Sequence, residues 1–426
     1  MLILLIFLVL LALICLNVPI AVALAVSAVL GLLMTEGVSS LVTVALDMYD
    51  GSTKFSLIAI PMFVLAGAIM NAGGITDRLI NFVSALIGFV RGGLAMVNIG
   101  VSLFFAEISG SAVADVAALG SILIPQMKKR GYSGPFSAAV TSSSASLAII
   151  IPPSIPMILY GTSANASIEQ LFVAGVVPGL LGAAGLMFVA YLFARRYDLP
   201  TEEAFNTRRL RETFVDALPA FALPVIILGG IFGGYVTATE AAGLAVLAAL
   251  GVGAWYRNMD LGHLRRAMLD GGMQTAVVMV LVAASVLMGG FLTRAQYPQQ
   301  MAEWILGITD NKWLILLILN FFFLVIGFFL HSAAAIILVV PIVIPLIQAV
   351  GIDPVHFGLV VTLNLAIGQQ TPPVASVLIT SCAVARANIW EVSKVNVYFV
   401  MVLFTVLMIC TYVPAIPMFL VDYFYR

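Results

Sequence analysis

Apolar residues fill this chain in blocks long enough to cross a bilayer, about 20 residues for a helix, and the polar interruptions between the blocks are what distinguish one segment from the next. Residues 1–17 and 19–34 are apolar apart from Ser27, with the run interrupted at Asn17-Val18-Pro19. No basic leader and no A-x-A pattern accompanies them, so the pattern predicts two short spans joined by a tight turn and not a secretory signal. A third span follows at 55–73. The amphipathic stretch 77–90 then predicts an arm lying along the membrane interface. Within 92–129, two apolar segments flank the short polar tip Ser109-Gly110-Ser111. That pairing predicts a re-entrant helical hairpin, with its irregular backbone shielded from lipid by protein. The span at 133–160 is interrupted by Pro152-Pro153, and a last span covers 171–193.

Displaced by 220 residues, the chain superposes on itself without a gap. Residues 21–31 lie over 241–251, Ile124-Pro125 over Ile344-Pro345, Gly131 over Gly351, and Pro152-Pro153 over Pro372-Pro373. Apolar similarity alone would not hold these prolines and glycines in one register, so the pattern implies a duplication. The first unit is 1–195 and a charged connector occupies 196–216. The second unit is 217–426, with spans at 221–237, 239–254 and 272–293, an arm at 299–308 and a hairpin at 312–349 with its tip at His331-Ser332. A span at 355–385 broken by Pro372-Pro373 and a final span at 391–413 complete it.

If each hairpin returns to its own side, a unit crosses five times, and the second copy is inverted. With the N-terminus outside, fifteen Lys and Arg fall inside (among them Arg78, Lys128, Arg130, Arg208 and Arg386) and four outside: Lys54, Arg294, Lys312 and Arg426. This agrees with the excess of positive charge on cytoplasmic loops. The expected fold is an all-α membrane protein of two inverted repeats, each with five crossings, an arm and one hairpin, of the elevator-transporter type.

Composition narrows the function. The chain is 62% hydrophobic and 9% charged, with a mean hydropathy of +1.14, which excludes a soluble domain of this length. A net charge of −1 with scattered basic residues gives nucleic acid nothing to bind. Cys15, Cys382 and Cys410 lie in apolar stretches without CxxC spacing and read as core residues. Three separated histidines, His263, His331 and His356, are too few to ligate haems in pairs.

The candidate chemistry sits at the interruptions. Where a helix stops at membrane depth, freed carbonyls need a partner, and a sodium ion supplies one, because hard cations take carbonyl and hydroxyl oxygens. Small polar residues also let helices pack closely, so one tip by itself stays open between the two readings. Thr141 and Ser142 to Ser146 precede the first Pro-Pro break, and Asn364, Gly368, Gln369, Gln370 and Thr371 precede the second. Polar tips and polar breaks occurring twice point to two ion sites flanking one substrate site. Of the carboxylates in predicted spans, Asp115 caps the hairpin or shapes an ion site, Glu240 caps the helix after Thr237, and Glu107 has no assigned role. They form no proton-relay chain. His331 is open between packing and substrate contact.

These motifs resemble the large membrane subunit of tripartite ATP-independent periplasmic (TRAP) transporters along essentially the whole chain. The resemblance rests on Ile60-Pro61 with Asn71 to Gly74, Ser109-Gly110-Ser111 through Asp115, Ile151-Pro152-Pro153-Ser154, Thr239-Glu240 and Gly368 through Thr371-Pro372-Pro373. It implies sodium-driven uptake of a small organic anion across the bacterial inner membrane by an elevator motion, without enzymatic activity or an organic cofactor. It also implies a small four-helix membrane subunit and a soluble periplasmic binding protein as partners. Matched by motif, sodium would lie at Ser109, Gly110 and Ser111 with Ser143, Ser144 and Ser146, and at Ser332 with Gly368 and Thr371. Substrate would meet Ser109, Ser154, His331, Asn364, Gln369 and Gln370. Glu107 and Gln369-Gln370 stand where many members are apolar, which points to a different substrate choice. The rivals are a stand-alone sodium/carboxylate symporter and, from another class, a proton- or quinone-handling subunit. The second lacks both titratable chains and a cofactor motif. No Walker A motif is present.

Overall fold

The computed structural model describes residues 2–16, 18–202, 204–257 and 259–425, without the side chains of 2–4, 15, 108 and 109. The sequence readings at Asn17 and Arg426, and at the side chains of Cys15 and Ser109, lie outside the described residues. Among the described residues the regular structure is entirely helical.

Among the described residues, seven helices are long and apolar enough to cross a membrane: Phe55–Ala72, Ile168–Arg196, Ala238–Trp255, Leu261–Arg294, Lys312–Phe329, Ser332–Ala349 and Ile389–Tyr412. Large apolar side chains stand on their outer faces, including Leu247, Val277 and Phe321. In a bilayer those faces meet lipid tails and carry no penalty. Trp255, Trp304 and Trp390 stand exposed and Trp313 at the edge of exposure, at or near helix ends, where indole rings suit the headgroup level.

The 220-residue register recurs in the helix bounds. Gly93–Ser109 is matched by Lys312–Phe329, Gly134–Ala145 by Pro354–Gly368, Ile155–Ala164 by Ser376–Ala385, and Ile168–Arg196 by Ile389–Tyr412. The amphipathic helices Ile75–Ile87 and Tyr297–Leu306 stand at the two predicted arms. In the first of these, Ile75, Leu79, Phe82 and Val83 are buried on one face.

The third span differs between the halves. In the second it is one helix, Leu261–Arg294, longer than the predicted 272–293; in the first the same stretch is divided into Leu41–Ser52, Phe55–Ile58 and Ala59–Ala72. The break falls at Ser52-Thr53, whose hydroxyls donate back to the carbonyls of Met48 at 2.8 Å and Tyr49 at 3.0 Å. Such local bonds compete with helix continuation. The matching positions, Gly272 and Met273, carry no hydroxyl to compete in this way. Arg294 then ties the divided segment to the long helix through Asp47 at 2.6 Å.

Two further helices were not legible as such. Thr207–Ala217 forms inside the charged connector, started by Asn206, whose side chain accepts from the amides of Arg208 and Arg209. It packs on the first arm, where Arg78 bonds Asp216 at 3.3 Å and lies 3.7 Å over the Tyr256 ring. Ala415–Tyr425 follows the last predicted span and leans on Ile168–Arg196.

Small residues let the inner helices approach. Ala241, Ala242, Ala245 and Ala249 are fully buried where Ala238–Trp255 packs against Ala59–Ala72. That helix starts in a capping box: Thr237 Oγ1 accepts from the Glu240 amide at 3.3 Å, and Glu240 Oε2 accepts from the Thr237 amide at 2.8 Å. Glu240 is therefore the cap expected of it. Thr237→Ala removes the hydroxyl and should lower stability by about 1 kcal/mol, read as a fall in unfolding temperature in detergent. Thr239→Ala, outside the box, should leave that temperature unchanged.

Candidate functional site

The first hairpin has the limbs Gly93–Ser109 and 112–129, the second limb containing one π-helical turn, Val116–Gly120, just past the tip. Single π turns recur at functional sites because they displace side chains from the regular helical register. Gly110 makes the reversal at φ +58°. A Cβ there would stand 2.9 Å from the Pro153 carbonyl oxygen and 3.2 Å from the Ile155 nitrogen. The tip thus rests with its backbone directly on the first Pro-Pro break.

The second hairpin joins Lys312–Phe329 to Ser332–Ala349 through Leu330 and His331. His331 Nδ1 accepts from the Ala333 amide at 3.5 Å as the cap of the returning limb. With Nδ1 accepting, the ring proton lies on Nε2. A turn before this tip, Gly327 meets Gly368 at the second break: a Cβ on Gly368 would stand 2.5 Å from the Gly327 Cα.

Each break is stitched across by one polar side chain. Ser154 Oγ donates to the Ile149 carbonyl at 2.7 Å and accepts from the Met157 amide at 3.4 Å. Gln369 Nε2 donates to the Leu365 carbonyl at 3.4 Å, and its Oε1 accepts from Ser376 Oγ at 3.3 Å. Both are buried. The structure thus places these two expected substrate contacts inside the breaks.

The serine run before the first break is buried and internally bonded. Asn98 Nδ2 donates to Thr141 Oγ1 at 2.7 Å, Ser102 Oγ donates to Ser144 Oγ at 2.9 Å, and Ser143 Oγ donates to Asn396 Oδ1 at 2.7 Å. Gln370, from the second half, donates through Nε2 to the Ser142 carbonyl and to Ser146 Oγ. In the second half, Asn364 Nδ2 donates to Asn320 Oδ1 at 2.7 Å, and Thr371 Oγ1 to the Ile367 carbonyl at 3.1 Å. Asn364 Oδ1 is buried with no donor among the described residues. Ser332 is buried at the start of the returning limb. Glu107, just ahead of the first tip, keeps a buried Oε2 without a partner among the described residues, and Asp115 is fully buried just beyond it.

The structure therefore joins the first tip to its break, joins the first limb of the second hairpin, a turn before its tip, to the other break, and joins the breaks to each other. The contacts missed in sequence are those of Asn98, Ser102, Asn320 and Asn396, lone polar residues in apolar helices whose polarity was the available signal. Each returning limb also borders a cavity against the outer spans. One, of about 290 Å³, lies between Ile337 and Pro341 and the Ser285–Gly289 side of the long helix, with Lys54 at its edge. The other, of about 390 Å³, lies between Ala117 and Ser121 and the face bearing Val64 and Asn71.

Residues 7–416 match the family described as the tripartite ATP-independent periplasmic transporter, DctM component. The chain is 40% identical over 406 residues to YgiK of Salmonella typhimurium, covering 95% of this chain and 93% of that protein. It is 39% identical over 405 residues to the isethionate TRAP transporter permease protein DctMQ of Oleidesulfovibrio alaskensis, covering 95% of this chain but 64% of that longer protein. It is 38% identical over 377 residues to the C4-dicarboxylate TRAP transporter large permease protein DctM of Pseudomonas aeruginosa, covering 88% of each. The solved YdaH transporter of Alcanivorax borkumensis shares the fold, with a TM-score of 0.62 at 14% identity over 89% of this chain and 88% of that one. The chain is thus a multi-pass membrane protein that belongs to the DctM family, the large membrane component of TRAP transporters.

Proposed function

We propose that this chain takes up a small organic anion across the bacterial inner membrane, driven by a sodium gradient. The observation that carries the reading is the doubled contact of hairpin on helix break, Gly110 at the first tip against Pro153 and Gly327 on the second hairpin's first limb against Gly368. Broken backbone at membrane depth persists only where protein or a bound ion satisfies it. Two such places facing one another make a substrate site flanked by ion sites. In this reading the first ion site draws on Gly110, which lies against the break, and Ser111, and the second on Ser332, Gly368 and Thr371. The orphan Asn364 Oδ1 supports a cation in the second half, because a buried carbonyl oxygen without a donor costs about 1–3 kcal/mol and sodium removes that cost. His331 Nε2–H is the donor offered to the anion.

The hairpins and broken spans slide as one body against the outer spans, across the face where Ser332–Ala349 meets Leu261–Arg294. The N-terminus is periplasmic and the repeats are inverted. A small membrane subunit completes the scaffold, and a soluble binding protein delivers the anion. Names of relatives point to sulfonates and carboxylates such as isethionate and C4-dicarboxylates. Each sodium ion moving inward down the membrane potential contributes about 2.3 kcal/mol per 100 mV.

Vesicles containing the chain and its small subunit, supplied with the binding protein and labelled isethionate or succinate, test this. Uptake of one of them should collapse when the inward sodium gradient is replaced by choline. Undiminished uptake without the gradient would refute sodium coupling, and uptake without binding protein would favour the stand-alone symporter.

A further inference from the structure

The two helix breaks meet through one buried side chain. Gln370 Nε2 donates to both the Ser142 carbonyl oxygen and the Ser146 hydroxyl. The same glutamine is held from behind: Asn396 Nδ2 donates to the Gln370 backbone carbonyl at 3.1 Å and to its Oε1 at 3.2 Å. Asn396 Oδ1 in turn accepts from Ser143 Oγ at 2.7 Å. Gln370 and Asn396 are each 1% exposed, and because the Ser142 carbonyl can only accept, the amide nitrogen is the atom turned toward it.

A carbonyl and a hydroxyl oxygen converging on one point at a helix break is a donor set for a hard monovalent cation. Here the point holds an NH2 group, which satisfies both oxygens without bringing a charge into the membrane interior. The position matching Gln370 in the first half is Ile150, whose side chain carries no donor, and the second half retains the unfilled Asn364 Oδ1. The halves are alike in backbone but unlike in how their buried oxygens are satisfied.

We propose that the Gln370 amide stands in for a coupling ion at the first helix break, so that Ser142 and Ser146 hold no sodium in this chain. The inference rests on the sodium-coupled reading above and refines it. Ion binding in the first half then falls to the tip, away from the serine run.

Sodium titration of the purified chain with its small subunit, read as unfolding temperature against choline at equal ionic strength and without organic anion, tests this. The slope of stabilisation against log sodium concentration counts ions bound to the folded state. Gln370→Ala uncovers the two oxygens and should raise that slope by about one ion, whereas Ser146→Ala should leave the wild-type slope unchanged. A folded Gln370→Ala with no gain, or a Ser146→Ala that loses an ion, overturns the assignment of Gln370 alone. If Gln370→Ala does not fold, Ser146→Ala decides. A wild-type chain with no sodium-specific slope overturns the sodium reading itself.

Discussion

Gly110→Ala should lower uptake by a factor of ten or more while leaving the protein folded and in the membrane. Two costs combine at this position. The backbone is at φ +58°, a left-handed conformation that costs a residue with a Cβ about 1–2 kcal/mol. The added methyl would also stand 2.9 Å from the Pro153 carbonyl oxygen, and neither atom belongs to a side chain that can rotate away. Seating the tip on the break therefore becomes harder by about 2 kcal/mol or more, and each 1.4 kcal/mol is a factor of ten in population. Gly131→Ala is the control, because Gly131 sits at φ +88° with nothing within 4 Å of its Cβ position. It bears the conformational cost without the collision and lies away from the tip. Vesicle uptake and unfolding temperature for both variants separate the two costs. Equal uptake by Gly110→Ala and wild type would show that close seating of the first tip is not required.

What the chain discloses before folding is its punctuation. Pro152-Pro153 and Pro372-Pro373 mark the breaks because proline lacks a donor and clashes with the preceding turn. The 220-residue register carried each mark to its partner, and the helix bounds Ala112–Asp115 through Ser121–Lys129 and Ser332–Ala349 keep that register. The direction of individual side chains was not legible. Gln369 and Gln370 are neighbours of the same type, yet one closes its own break and the other crosses to the opposite half. That difference depends on where two broken helices cross, which no local pattern contains. Ser154 was equally ambiguous, since a serine after Pro-Pro serves a substrate or a helix start, and the bond it accepts from the Met157 amide places it at the helix start. The helix Leu41–Ser52 was hidden for another reason. Its residues continue the apolar-polar mixture of a loop until Arg294 engages Asp47, a partner 247 residues away.

The second hairpin offers the sharper steric test. A Cβ on Gly368 would stand 2.5 Å from the Gly327 Cα, 2.6 Å from its carbonyl carbon and 3.0 Å from its oxygen. All three are backbone atoms of the first limb of the hairpin, so relief requires moving the helix Lys312–Phe329 away from the break. Overpacking of this kind costs about 1–3 kcal/mol where side chains can adjust, and here only backbone can yield. Gly327→Ala is milder, with its Cβ 3.0 Å from the Gly368 Cα and at ordinary contact distance from Leu365. The expected order of damage is therefore Gly368→Ala well beyond Gly327→Ala. Asn364, bonded to Asn320 on that same limb at 2.7 Å, would be displaced with it, and its free oxygen would lose its setting. Gly368→Ala should thus lose both uptake and the sodium-dependent rise in unfolding temperature, whereas Gly327→Ala keeps part of each. If Gly368→Ala retained full sodium stabilisation but lost uptake, the contact would serve the sliding motion and not the ion, and the second sodium site would have to lie nearer Ser332 than the break.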